Sequence, residues 1–182
     1  IHAYLLDQLP WDGLGRVLDV GCGSGALSIA TAKRFPLAEV QGIDYWPPMW
    51  NYGQKQCETN AAVEGVAERC AFQHGDAAKL DFPDNHFDAV VSNFVFHEVR
   101  TQKDKFMLVE EALRVLKKGG AFALHDTFGN KDMYGNMDEF VAYLKEHGIA
   151  DVSYLPNTER NIPMPPPVRF MLRGIGMLYG TK

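Results

Sequence analysis

The 182-residue chain has few cysteines and no long apolar run, and both shortages narrow its class. Only Cys22, Cys57 and Cys70 are present, and they are widely spaced without a C-x-x-C pair. This argues against a disulfide framework and against a structural zinc site. No stretch approaches the roughly 20 apolar residues needed to cross a bilayer, and no signal segment opens the chain. We therefore expect a cytoplasmic protein with no metal site and no membrane segment in this chain; because residue 1 is Ile rather than Met, an upstream anchor stays open.

Positive charge is also in short supply. The chain has 18 Lys and Arg against 23 Asp and Glu, a formal net charge of −5. A negative protein repels phosphate backbones at long range, so we expect no nucleic-acid partner. The composition, 46% hydrophobic and 23% charged, is that of an ordinary globular protein. The length favours one domain that spans residues 1–182.

Apolar, β-branched runs alternate with helix-length segments along the chain. The predicted strands cover Arg16–Val20, Ala38–Ile43, Ala67–His74, Phe87–Asn93, Gly120–Asp126 and Val152–Leu155. Such alternation predicts an α/β fold of the doubly wound type, in which helices cover both faces of a parallel sheet.

Capping residues and prolines predict where the helices begin and end. Ser24 is a candidate cap for the helix after the first strand, and Asn136 with Glu139 has capping-box spacing for a later helix. A helix is predicted over Lys103–Lys117, with Gly119 as its left-handed stop. Four prolines predict an extended connector without helix, followed by a last strand within Val168–Tyr179; they are Pro163, Pro165, Pro166 and Pro167.

The segment from Val17 to Gly25 reads VLDVGCGSG, a buried strand that runs into a glycine-rich turn and a helix. Such a turn lets backbone N–H groups and the helix N-terminus approach a ligand closely. The candidate binding residues of the turn are Gly21, Cys22, Gly23 and Gly25. With Ala26, the turn also satisfies the dinucleotide pattern G-x-G-x-x-G/A, so glycines alone do not choose the cofactor.

Three acids at or just after the ends of predicted strands narrow the choice of cofactor. Asp19 would repel a pyrophosphate but attract the ammonium and sulfonium groups of S-adenosylmethionine. Asp44 ends the second strand and can accept from ribose hydroxyls, which both cofactor types carry. Asp76, in a G-D-A after the third strand, can accept from an adenine amine while the Ala77 N–H donates to the ring. The alternative for all three is that they cap neighbouring N–H groups.

Together these motifs resemble the class I S-adenosylmethionine-dependent methyltransferases, particularly the small-molecule branch with the ubiquinone and menaquinone C-methylases. The resemblance covers Arg16 to Asp126 and includes F-D-x-V-x-S-N at Phe87–Asn93. It extends to an L-R-V-L-K-P-G-G-like segment at Leu113–Gly120, in which Lys118 replaces the usual Pro. Tyr45 and Asn93 complete the candidate cofactor set.

The resemblance implies a fold and an activity. The fold is a seven-stranded, mostly parallel sheet in three α/β/α layers, with an antiparallel hairpin at its edge. Residues 16–126 would form the cofactor-binding core, and residues 127–182 the sheet edge and acceptor-side elements. The activity is methyl transfer from S-adenosylmethionine to a small-molecule acceptor, with S-adenosylhomocysteine as product.

Candidate acceptor-side residues lie after the fourth and fifth strands. His97 follows the fourth strand at the edge where open α/β sheets bind ligands, so it is a candidate general base. The alternative is a hydrogen-bonded histidine that orients Glu98 or the next loop. His125 and Asp126 share that rim and either face the acceptor or satisfy backbone groups. Large apolar residues in the rim loops predict a pocket for an apolar or aromatic acceptor, with part of the set in the core; they are Trp46, Met49, Trp50, Phe94, Phe96, Phe128, Met133 and Tyr134.

Three function classes stay open on the sequence. A small-molecule methyltransferase is favoured over a methyltransferase for protein or RNA, and over a non-catalytic or NAD-type Rossmann domain. The fourth strand ends Ser92-Asn93-Phe94-Val95 and so lacks the N/D-P-P-Y/F sequence of amino-methylating DNA and protein enzymes. The methylated atom, whether oxygen, nitrogen, sulfur or carbon, is not identified.

Overall fold

A computed structural model describes residues 1–46 and 53–182, so Met49 and Trp50 of the predicted pocket lie outside the described residues. The described part contains a seven-stranded sheet with the order β3-β2-β1-β4-β5-β7-β6. Its strands are β1 (Gly15–Val20), β2 (Ala38–Asp44), β3 (Cys70–His74), β4 (Phe87–Asn93), β5 (Leu116–Asp126), β6 (Asp151–Pro156) and β7 (Gly176–Thr181).

The sheet is parallel except at one edge. Strands β1 to β5 pair in parallel, whereas β7 runs antiparallel to both β5 and β6. This confirms the mostly parallel sheet with an antiparallel edge hairpin. The strand order reverses beside β1, between β2 and β4, and a crevice for ligands opens at the carboxyl ends of the strands around such a point.

Helices cover both faces of the sheet, which confirms the three-layer arrangement. The covering helices are α1 (His2–Gln8), α2 (Ala26–Arg34), α3 (Gln54–Val63), α4 (Lys105–Arg114), α5 (Lys131–Tyr134) and α6 (Met137–Glu146), whereas a further helix, α7 (Pro166–Met171), has no buried residue. One core joins α1, α2 and α3 to strand residues such as Val17 and Val91. The other joins α4, α5 and α6 to strand residues such as Leu18 and Val90. Consecutive strand residues enter opposite cores because a strand has a period of two.

The register of the edge strands places one long connection beside the crevice. Gly176, at the start of β7, pairs with Asp126 at the carboxyl end of β5 and with Pro156 at the end of β6. The β6–β7 connection, residues 157–175, therefore lies at the same edge of the sheet as the carboxyl ends of the parallel strands. Among the residues described, no helix is long and apolar enough to cross a membrane.

The predictions for the helices α2 and α4 are corrected by the structure. Ser24 does not cap α2, because Gly25 occupies the N-cap position with a left-handed φ of +83° and no side chain caps the helix. The helix α4 is shorter than predicted and is capped by Asp104, whose side chain accepts from the Phe106 N–H. Gly119 does adopt a positive φ of +76°, but it lies near the start of β5 rather than at the helix end.

The predictions for the proline segment and the third strand are also corrected. The prolines do not exclude a helix, since α7 begins at Pro166 and its first turn needs no donor N–H groups. The last strand accordingly begins at Gly176 rather than near Val168. Residues Ala67–Arg69 form a 3-10 turn, and β3 begins after it. The predicted Asn136 cap is confirmed, because its side chain accepts from the Asp138 N–H.

Candidate active site

The carboxyl ends of β1, β2 and β4 open into a cavity of about 540 Å³, within the usual range of ligand pockets. Its walls are the glycine loop after β1, the ends of β2 and β3, and the loop that follows β4. Nine of the ten candidate cofactor residues line it: Asp19, Gly21, Cys22, Gly23, Asp44, Tyr45, Asp76, Ala77 and Asn93. Gly25 and His97 are not part of its lining, whereas several residues that the sequence did not suggest as ligand contacts are, among them His2, Glu98, Val99, Arg100 and Thr101.

The glycine loop is held tightly between two neighbouring segments. Gly21 and Gly23 adopt φ values of +72° and +57°, which side chains rarely tolerate. The N–H groups of Gly21 and Cys22 both donate to the Ile43 carbonyl, at 2.8 and 2.9 Å. A Cβ added to Gly21 would lie 2.2 Å from a Val95 methyl carbon. The absence of a side chain therefore allows the loop to approach the segment after β4.

Asp19 has a buried carboxylate with an unused oxygen. The residue is 1% exposed, and its Oδ2 accepts from the Ser28 hydroxyl at 2.6 Å. Its Oδ1 has no hydrogen-bond partner among the described residues. Burial raises the pKa of Asp19 to about 7, and the Ser28 hydrogen bond only partly opposes this. A buried acceptor of this kind fits the cationic ammonium group of S-adenosylmethionine.

Asp44 and Asp76 already bind backbone N–H groups. Asp44 accepts from Gly23 N at 2.9 Å through one oxygen and from Trp46 N at 2.8 Å through the other. Asp76 accepts from Ala78 N at 2.8 Å. In these contacts both acids cap neighbouring backbone N–H groups, which was the alternative to cofactor binding. Each carboxylate oxygen has a second lone pair, however, so capping leaves both residues able to accept from a ligand in the cavity.

Helix α3 supports the glycine loop through two side chains that sequence reasoning missed. The Cys57 thiol donates to the Gly23 carbonyl at 3.2 Å, and the Asn60 amide donates to the Ser24 carbonyl at 2.9 Å. A hydrogen bond with Cys57, together with burial, raises the pKa of the Cys22 thiol. The raised pKa keeps Cys22 protonated, in agreement with a packing residue rather than a nucleophile.

Asp126 collects hydrogen bonds on the other side of the cavity. Fully buried at the end of β5, it accepts from Val95 N and Phe96 N at 2.9 Å each, and from Tyr134 OH at 3.0 Å. Val95 N and Phe96 N bind Oδ2, whereas Tyr134 OH binds Oδ1. His97 Nδ1 lies 2.8 Å from the same Oδ1, to which Thr127 N also donates. Burial alone would raise the pKa of Asp126, but His97 and the other donors outweigh it and lower the pKa. Asp126 thus satisfies backbone groups and fixes the loop after β4.

His97 is held between two carboxylates. The hydrogen bond to Asp126 raises the pKa of His97, although burial opposes the shift. Its Nε2 lies 3.4 Å from a Glu98 oxygen, and Glu98 lines the cavity. This is the geometry of the stated alternative, a hydrogen-bonded histidine that orients Glu98.

His125 forms a buried polar chain with Asn93 and Thr158. Its Nδ1 lies 3.0 Å from Asn93 Oδ1, and its Nε2 lies 2.7 Å from Thr158 Oγ1. Burial lowers the pKa of His125 to about 4, so the ring is neutral near pH 7. Because Asn93 Oδ1 only accepts, Nδ1 carries the proton and the Thr158 hydroxyl donates to Nε2. The side-chain oxygen of Asn93 accepts from His125. Asn93 lines the cavity, so its side-chain N–H groups can donate to a ligand there.

The large apolar residues of the rim divide between core and cavity. Phe96, Phe128 and Tyr134 are buried in the core. Phe94 lines the cavity, and its ring packs edge-on against His125 at a centroid distance of 5.3 Å. Trp46 donates from its indole to the Gly23 carbonyl at 2.8 Å. The described part of the predicted pocket wall is therefore Phe94, joined by Val95 and Val99.

The sheet order and the acid-lined cavity at the strand ends define a class I methyltransferase fold, and comparisons with known proteins agree. A family model described as a methyltransferase domain matches residues 17–120, so the chain belongs to that family. It is an S-adenosylmethionine-dependent methyltransferase.

Two relatives and one solved structure illustrate the similarity. The chain is 30% identical to a demethylmenaquinone methyltransferase of Thermus thermophilus over 88% of this chain and 73% of that protein. It is 38% identical to a Staphylococcus aureus demethylmenaquinone methyltransferase over 62% of this chain, and this match spans 43% of the relative's length. A structure of phosphoethanolamine N-methyltransferase 2 of Haemonchus contortus with S-adenosyl-L-methionine superposes with a TM-score of 0.74 at 18% identity. That match covers 100% of this chain and 52% of the other, and it shows the fold alone.

Proposed function

We propose that the chain methylates a small-molecule acceptor with an apolar or aromatic body, such as a quinol. The observation that carries the proposal is the contrast between the two walls of the cavity. One wall presents Asp19, Asp44 and Asp76, whereas the loop after β4 presents Phe94, Val95 and Val99. An apolar acceptor would pack against the second wall. The names of the Thermus and Staphylococcus relatives point to the same class of acceptor.

The cofactor would lie along the acidic wall. Asp19 would accept from its ammonium group, Asp44 from the ribose hydroxyls, and Asp76 from the adenine amine beside the Ala77 N–H. The remaining candidates would contribute backbone groups, contact surface or an amide; they are Gly21, Cys22, Gly23, Tyr45 and Asn93. Gly25 would act indirectly, by shaping the loop. The cofactor supplies a methyl group on a cationic sulfur, so the protein mainly aligns donor with acceptor and excludes water, which is worth on the order of 7–11 kcal/mol.

His97 remains our proposed general base for an acceptor that must lose a proton. Since its Nε2 faces Glu98, which lines the cavity, a proton would reach His97 through the Glu98 carboxylate. His97→Ala should then lower the maximal rate roughly 10²–10⁴-fold with little change in cofactor affinity. Because the pKa of His97 is raised, the wild-type rate should increase with pH above the usual histidine value of 6.5.

Glu98→Gln is the matched variant, since it retains size but cannot carry the proton. Equal rate losses in both variants, relieved by higher pH, would support the relay. A loss in His97→Ala that is explained wholly by lowered stability would make His97 structural.

We also propose separate roles for two regions of the chain and a cellular location for the protein. Residues 16–126 would bind the cofactor, and residues 127–182 would form the sheet edge and the acceptor side. Cys22, Cys57 and Cys70 are free thiols, which favours the reducing cytoplasm.

The experiment that tests the acceptor class is a radiolabelled methyl-transfer screen over quinols, phenols and thiols, beside RNA and peptide pools. Label in a quinol or phenol is the expected result, and label confined to RNA or peptide would overturn the proposal. S-adenosylhomocysteine should raise the melting temperature, because it binds the folded state, whereas NADH should not.

A further inference from the structure

Helix α7, Pro166–Met171, is exposed all round although most of its residues are apolar. None of its residues is buried, and Val168, Phe170 and Met171 are 40%, 70% and 80% exposed. A helix with apolar side chains on every side is normally found inside a protein or a membrane. The other large exposed apolar residues of the described chain, such as Leu37 and Val63, are scattered along it, whereas these three fall within four positions.

The ends of this helical segment are fixed to the body of the protein. Ile162 and Ile175, on either side of it, are 4% and 1% exposed. The N–H of Gly129 donates to the Gly174 carbonyl at 2.8 Å, and the Asn161 amide donates to the Tyr4 hydroxyl at 3.2 Å. The segment therefore projects from a defined place, the edge of the sheet at which the cavity opens.

The charged residues of the chain segment that contains α7 have one sign. Arg160, Arg169 and Arg173 are exposed, and the Arg173 guanidinium lies 5.5 Å from the centroid of the Phe170 ring. From residue 160 to residue 182 the sequence contains no Asp or Glu, although the whole chain has a net charge of −5. The apolar side chains are thus flanked along the chain by arginines, in a protein whose net charge is negative.

We propose that α7 docks the protein on an anionic lipid surface. Val168, Phe170 and Met171 enter the boundary between headgroups and acyl chains, while the arginines pair with lipid phosphates. Apolar burial combined with attraction to anionic headgroups is the general basis of such interfacial binding. Docking of this edge places the cavity against the phase in which an apolar acceptor dissolves. The surface is independent of methyl transfer, but its use for acceptor entry rests on the proposed function.

Sedimentation with lipid vesicles tests the docking directly. We expect the wild type to sediment with vesicles of phosphatidylglycerol and phosphatidylcholine, and much less with phosphatidylcholine alone. Added salt should release it, because exposed charges are screened. Phe170→Glu combined with Met171→Glu should weaken vesicle binding by about tenfold or more, since the apolar contact is lost. Arg169→Glu combined with Arg173→Glu should abolish the preference for the anionic vesicles.

Leu37→Glu is the matched control, because Leu37 is 73% exposed just before β2, at the opposite edge of the sheet. This variant should bind vesicles like the wild type, and thermal melting should show that all variants are folded. Absence of wild-type binding to anionic vesicles would overturn the proposal, as would equal losses in the control. So would a wild-type dimer in solution that the Phe170 and Met171 changes convert to a monomer, because a second copy would then cover α7.

The failure of this inference is distinguishable from failure of the proposed function. With a short-chain, water-soluble quinol and no vesicles, the Phe170 and Met171 variant should transfer methyl groups at the wild-type rate. Vesicle binding without any methyl transfer to quinols would support the docking surface and overturn the quinol as the proposed acceptor. Methyl transfer to quinols without vesicle binding would support the proposed function and overturn the docking surface.

Discussion

Asp19 at β1 and Asp126 at β5 are both buried at the same edge of the sheet, but they differ in how many hydrogen bonds their carboxylates accept. Asp19 leaves one oxygen without a partner among the described residues, and burial raises its pKa to about 7. Asp126 accepts from three backbone N–H groups, His97 and Tyr134, and its pKa is lowered. A carboxylate with unused capacity is available to a ligand, whereas a saturated one stabilises the fold. The comparison therefore separates the side on which we propose cofactor binding from a side that is mainly organised by the protein itself.

The largest expected effect is the loss of Asp126. Asp126→Ala should lower the free energy of unfolding by about 3–5 kcal/mol, because buried N–H groups and the His97 cation lose their partner. Denaturant titration measures the loss, and NMR titration should show the His97 pKa returning toward its ordinary value. Asp126→Asn retains an acceptor oxygen and should be affected less. An Asp126→Ala variant as stable as the wild type would contradict the proposal that Asp126, unlike Asp19, stabilises the fold.

The His97–Asp126 pair also gives a pH dependence of stability. The pKa of His97 is raised in the folded state, so its contribution is complete below the ordinary value of 6.5 and is lost as the pH rises through the raised value. The difference in stability between the wild type and His97→Gln should therefore shrink as the pH rises. A difference that is constant from pH 5 to pH 9 would contradict an ionic role for this pair.

On the cofactor side, Asp44→Ala should weaken S-adenosylhomocysteine binding by roughly 2–3 kcal/mol, measured by isothermal titration. Part of the loss is expected from the glycine loop, because Asp44 also accepts from Gly23 N and Trp46 N. Asp76→Ala is a suitable comparison, since Asp76 holds Ala78 N but no part of that loop. Unchanged affinity in a folded Asp44 variant would show that the ribose is bound elsewhere.

The sequence predicted the acidic residues that line the cavity better than the buried contacts of Asp126 and His125, and the reason is physical. Asp19 and Asp44 lie at the carboxyl ends of β1 and β2, and Asp76 follows β3, so chain position alone brings them to one edge of a parallel sheet. The partners of Asp126 and His125 come from separate segments, and Thr158 lies 33 residues beyond His125. No local pattern shows such contacts. The same holds for Cys57, which reaches the glycine loop from 34 residues away.

The fold shows a similar division. Alternation of strands and helices predicted the parallel part of the sheet, but the antiparallel order of β6 and β7 came only from the family resemblance. Predictions from local sequence failed where the backbone conformation, rather than a capping side chain, determines how a helix begins. Gly25 starts α2 with a left-handed turn although Ser24 precedes it, and Pro166 starts a helix that the proline count had excluded.

Asp19→Asn should stabilise the ligand-free protein while it weakens the cofactor. The pKa of Asp19 is raised above its ordinary value of 3.8, so its stabilising contribution is fully present below that value and is lost as the pH rises through about 7. We expect the variant to be more stable than the wild type by about 1–2 kcal/mol near pH 8, and the gap to close as the pH falls. Wild-type affinity for S-adenosylhomocysteine should decline below about pH 7, where Asp19 binds a proton. The variant should lack this pH dependence, and a shared dependence would assign it to another group.

The smallest expected effect concerns Thr158, which touches the site only through His125. Thr158→Val removes the hydroxyl that donates to His125 Nε2 and should cost about 1–2 kcal/mol of stability, because a buried acceptor loses its partner. Thr158→Ser keeps the hydroxyl and should recover most of the loss. Cofactor affinity should change little in either variant, since the Nδ1 proton still holds the Asn93 oxygen. Nitrogen-15 NMR of His125 reports the tautomer directly, and we expect the proton on Nδ1. A wild-type proton on Nε2 would reverse the Asn93 amide and present its oxygen, rather than its N–H groups, to the cavity.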